Sequence, residues 1–167
     1  MKRTLLCVTC AVAVLSLATF LQSAEKELFS LSIAPMTEPV KSGADVRLCV
    51  RVTNTSDRII GFIRSLGIVP EEGFRYQIEV RNSDGLPAPP SARVLELRKK
   101  QTVDFASNVA RWLKPGESFV DEIDVTKLVD LSLPGTYTIS VTREFPPAQN
   151  LGEGRIKSNS ATVKVVR

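Results

Sequence analysis

The chain has 167 residues, 22 of them basic and 18 acidic, and it contains no histidine. The missing histidine excludes Ser-His-Asp and Cys-His nucleophile activation in their usual form, and with them histidine-based zinc or copper sites. The charge balance is nearly even and Arg98-Lys99-Lys100 is its densest run, so the basic block of a nucleic-acid-binding protein is absent.

Residues 1–24 read as a secretory signal peptide. Lys2 and Arg3 form a basic start, Leu5 to Leu21 is apolar apart from a few Ser and Thr, and Ser23-Ala24 supplies small residues before Glu25. Its removal predicts a single mature domain, residues 25–167, in the periplasm or outside the cell, and touching a membrane only if the segment stays uncleaved. Two basic and no acidic residues leave with the segment, so the mature net charge falls from +4 to +2. Cys7 and Cys10 leave as well. Cys49 remains as a lone thiol, and stability has to come from the hydrophobic core that a domain of this size can build.

Alternation marks the strands that follow. Phe29, Leu31 and Ile33 share one face of a first strand, which Pro35 and Pro39 end; Ser42-Gly43 then turns the chain. Val46 to Thr53 is the clearest strand, with Val46, Leu48, Val50 and Val52 on one face and Arg47, Cys49, Arg51 and Thr53 on the other. Asn54 to Asp57 is a turn, Arg58 to Ile63 a short apolar strand, and Pro70 to Gly73 a loop. Arg75 to Arg81 alternates again with Tyr76, Ile78 and Val80 inward, and Asn82-Ser83-Asp84-Gly85 is a strong turn signal.

Leu86 to Arg111 is the least regular region. Pro87, Pro89 and Pro90 open it as an extended loop, Val94 to Leu97 reads as a short strand, and Thr102 to Trp112 has scattered Phe105, Val109 and Trp112 with no clean period. Regularity returns at Pro115-Gly116. A strand follows with Phe119, Ile123 and Val125 on one face, then a short helical corner and the Pro134-Gly135 turn. Tyr137, Ile139 and Val141 then alternate with Thr138, Ser140 and Thr142. Phe145 to Gly154 reads as a long loop, and Ala161, Val163 and Val165 alternate in a closing strand. About seven or eight short strands with no long amphipathic helix argue for an antiparallel, immunoglobulin-like β-sandwich or a related barrel.

Several of these words recur together elsewhere. Lys114-Pro115-Gly116-Glu117, the Leu128-Val129-Asp130-Leu131 corner, Pro134-Gly135-Thr136-Tyr137-Thr138 and the stretch Val50 to Asp57 resemble immunoglobulin-like modules of secreted bacterial proteins. The intracellular proteinase inhibitor family carries a similar domain, and so does the N-terminal module of deuterolysin-type metallopeptidases. The resemblance implies the fold. It carries no peptidase activity across, because this chain has no zinc-binding segment.

Few residues stand out chemically. Cys49 lies on the polar face between Arg47 and Arg51. Flanking cations favour a reactive thiolate, but a free cysteine is more commonly a small residue covered on a central strand. Asp121, Glu122 and Asp124, with Asp130 nearby, form an acidic cluster, but alternation splits it between strand faces, against the convergence that calcium needs. Tyr137, two residues after Gly135, has the position of a tyrosine corner. Trp112, just before the Pro115-Gly116 turn, reads as a core plug. Asn54-Thr55-Ser56 matches a glycosylation sequon at an accessible strand end. No catalytic residue, cofactor or metal is expected. The sequence thus points to an exported, non-enzymatic binding or structural module that meets an unidentified protein partner in the envelope or outside the cell; the alternative is a proteinase inhibitor acting through a long loop, about residues 145–154.

Overall fold

Two layers of strands bury the alternating apolar faces against each other. The computed structural model describes residues 27–66, 76–100, 107–145 and 154–167. The expected signal segment lies outside the described residues, as do the Pro70–Gly73 loop, Phe105 and the interior of the 145–154 segment.

The strands in chain order are β1 (Phe29–Pro35), β2 (Val40–Lys41), β3 (Arg47–Asn54), β4 (Ile60–Leu66), β5 (Tyr76–Arg81), β6 (Ser107–Leu113), β7 (Ser118–Asp124), β8 (Gly135–Phe145), β9 (Gly154–Lys157) and β10 (Ala161–Val166). One helix, α1 (Ala92–Lys100), lies between β5 and β6, and a 3-10 turn (Val125–Lys127) follows β7. The fold is an all-β sandwich. One sheet has the order β1-β3-β7; the other has the order β2-β10-β8-β5, with β9 also paired to β8; β4 and β6 form a separate two-stranded ribbon. All pairings are antiparallel except β2 with β10.

The core lies between the sheets. Leu31, Ile33, Leu48, Val50 and Val52 come from the first, and Val80, Ile139, Val141, Val163 and Val165 from the second. Each fully buried aliphatic side chain of this size contributes about 1.5–3 kcal/mol relative to exposure. The chain leaves the first sheet at Pro35 and enters the second at Val40, beside Val165. Asn159 ties the layers together: its Oδ1 accepts from the Ile33 N–H at 2.9 Å and its Nδ2 donates to the Ile33 carbonyl at 3.0 Å.

Ten strands are described where the turn spacing predicts seven or eight. The additions are short or irregular. β2 has two residues and β9 four, too few for a period to register, and β6 is recognised only by its pairing with β4. The ends of the expected 145–154 loop are strand residues, Phe145 and Gly154, which are register partners.

The predicted strand at Val94–Leu97 is a helix. Ser91 sets its start, its Oγ accepting from the Val94 N–H at 3.3 Å, which satisfies a first-turn donor. Good helix formers follow, Glu96 and Lys100 pair at 3.3 Å one turn apart, and Val94 is the one buried residue. With a single core contact, four residues of local pattern could not reveal a helical period. Arg98, Lys99 and Lys100 occupy its last turn, exposed, where cations suit the helix dipole.

Candidate functional site

The β4–β6 ribbon presents an exposed aromatic. Leu113 is buried opposite Ile60, so its neighbour Trp112 must point the other way, opposite Gly61. Trp112 is 59% exposed and therefore is not the core plug that its position suggested. Gly61 offers it no side chain to pack on. Ile59, just before β4, is 57% exposed. Arg58 and Lys114 are exposed beside them. On the other face of the ribbon, the Arg111 guanidinium lies 6.0 Å above the half-buried Phe119 ring, within cation–π range.

Asn54 holds this end of the molecule together. It is fully buried, and its Nδ2 donates to the carbonyls of Arg58 at 2.7 Å and Leu113 at 2.8 Å. Its Oδ1 accepts from the N–H and hydroxyl of Ser56, at 2.9 and 2.7 Å. Both amide hydrogens and both acceptor positions are thus used. The Asn54-Thr55-Ser56 sequon is therefore closed, contrary to the accessible strand end expected from sequence. Its nitrogen is committed to joining the Arg58 turn to the end of β6.

Among the described residues the buried cation is Arg143, 1% exposed, with its guanidinium carbon 4.4 Å from the centre of the Tyr76 ring. Sequence reading passed it over. The signal was present, because Tyr137, Ile139, Val141 and Arg143 are spaced by two along β8 and share its inward face.

A concave region lies where the Gly43 turn, the start of α1 and the segment after the 3-10 turn meet. It encloses about 370 Å³ and is lined in part by Ser91, Thr126, Val129, Asp130 and Leu131. Ser91 Oγ donates to the Lys127 carbonyl at 2.7 Å. Asp130 accepts from the Ser132 N–H at 2.9 Å. The Ser132 hydroxyl and N–H hold the Asp130 carboxyl below its ordinary pKa. Close by, the Tyr137 hydroxyl donates to the Leu133 carbonyl at 2.9 Å. Burial, and then the Asp130 charge, raise the pKa of this phenol.

The other sequence-derived residues do not converge. Cys49 is a free, half-buried thiol on the central strand of the first sheet, with Ala34 and Glu122 as register neighbours. Glu122 pairs with Arg47 at 3.0 Å, and Arg47 with Asp45 at 2.9 Å. Asp124 caps the 3-10 turn through the Thr126 N–H at 3.1 Å. Asp121 Oδ1 accepts from the Glu122 N–H at 3.0 Å. Among the described residues no group of three or more carboxylates or thiols is placed to hold a metal ion.

No family model matches the chain. It is 29% identical, over 167 residues, to a neutral protease 2 homolog of Paracoccidioides brasiliensis (strain Pb18). The match takes in 91% of this chain and 44% of the relative, so the chain spans less than half the length of that protein. This is a loose link to the protease family. Among solved structures, a β-glucosidase from Erythrobacter marinus superposes with a TM-score of 0.38 at 19% identity, over 78% of this chain and 15% of that one. Likeness at that level transfers neither fold nor activity.

Proposed function

We propose that the chain is an exported, non-enzymatic protein-binding module, an immunoglobulin-like sandwich that engages a peptidase through the Trp112 end. The observation that carries the reading is the exposure of Trp112 on a ribbon whose end Asn54 anchors, with Ile59 exposed just before β4. Tryptophan and arginine dominate interface hot spots, and an aromatic held on a paired strand is ordered before it binds. The partner class follows from the partial likeness to a protease homolog. A chain without histidine cannot build a histidine-based metal centre of its own. We therefore read the likeness as kinship with a part that accompanies a peptidase.

The test uses the full chain and Trp112→Ala as parallel baits in the native secretome, with mass spectrometry as the readout. A peptidase recovered by the first bait and lost from the second supports the reading. Identical recoveries on both baits, or no peptidase among the Trp112-dependent proteins, would overturn it.

The pairing of Phe145 with Gly154 favours a second reading. It holds the ends of the 145–154 segment side by side, as suits an inhibitory loop entering a protease cleft. Inhibition of a purified neutral protease 2 that survives Trp112→Ala, and disappears when residues 146–153 are replaced by a Gly-Ser linker, would select it.

A further inference from the structure

We draw no further inference here: the strongest candidate, the corner concavity between the Gly43 turn, the start of α1 and the segment after the 3-10 turn, carries nothing, because donors and acceptors line it together and nothing in the structure selects the chemistry of an occupant.

Discussion

Asn54 Nδ2 donates to the Leu113 carbonyl at 2.8 Å, across 59 residues of sequence. One buried amide thereby fixes the end of β6, and with it the direction in which Trp112 leaves the ribbon. The same nitrogen is the atom that a glycosyl transfer would modify, so structural and modification chemistry compete for it.

Asn54→Ala removes four side-chain hydrogen bonds and takes the buried side-chain donor from the Leu113 carbonyl, while the Arg58 carbonyl keeps the Ser56 hydroxyl at 3.1 Å. Losing such a buried partner costs about 1–3 kcal/mol, and urea unfolding should show a loss of roughly 3 kcal/mol overall. Mass spectrometry of protein from a glycosylating host should find Asn54 unmodified in the folded fraction. A glycan on stably folded protein would contradict the closed geometry.

Adjacent positions on β6 should behave oppositely. Trp112→Ala, at an exposed site, should change stability by no more than about 0.5 kcal/mol. Leu113→Ala, in the core, should cost about 2–5 kcal/mol. Trp112 is the chain's one tryptophan, so its fluorescence reports on this site alone. The native spectrum should be solvent-exposed in character and readily quenched by acrylamide.

Tyr137→Phe deletes the bond to Leu133 and should cost about 1 kcal/mol near neutrality. The pH dependence has a defined sign. The folded pKa of Tyr137 is raised above 10.0 by burial and then by the Asp130 charge, so the native state favours the protonated phenol. That contribution is fully present below the unfolded pKa and is lost as pH rises through the folded one. The stability gap between wild type and Tyr137→Phe should therefore be widest at about pH 8 and narrow by about pH 11. A gap that widens on alkalinisation would reverse the sign.

Arg143 and Tyr76 should be energetically coupled. The guanidinium carbon lies 4.4 Å from the ring centre in a buried setting, where cation–π attraction reaches about 2 kcal/mol. A double-mutant cycle with Arg143→Met and Tyr76→Leu should return a coupling of that order. Strictly additive losses would show that the stacking is incidental.

The layout of the sandwich was legible wherever one strand face is buried along its length. Val46 to Val52 in and before β3, Tyr137 to Val141 in β8 and Ala161 to Val165 in β10 alternate without interruption, because a two-residue repeat is what a half-buried strand imposes. Gly43, Gly85 and Gly116, in the predicted turns, adopt positive φ of 82, 76 and 75°, a conformation that glycine admits without steric cost. These signals are local and need no knowledge of distant residues.

The candidate sites were decided elsewhere. Trp112 is exposed because β6 pairs with β4 in the register that sets Leu113 against Ile60; a one-residue slip would have reversed it. Asn54 is buried because the Arg58 turn and the end of β6 close over it. The corner concavity exists because α1, the Gly43 turn and the 126–132 corner meet. By itself the sequence determined which faces had to be hidden from water, since burial of apolar surface follows local periodicity. Only the tertiary structure decided which polar and aromatic groups met one another, since register, hydrogen-bond partners and enclosed volume are relations between segments far apart in the chain.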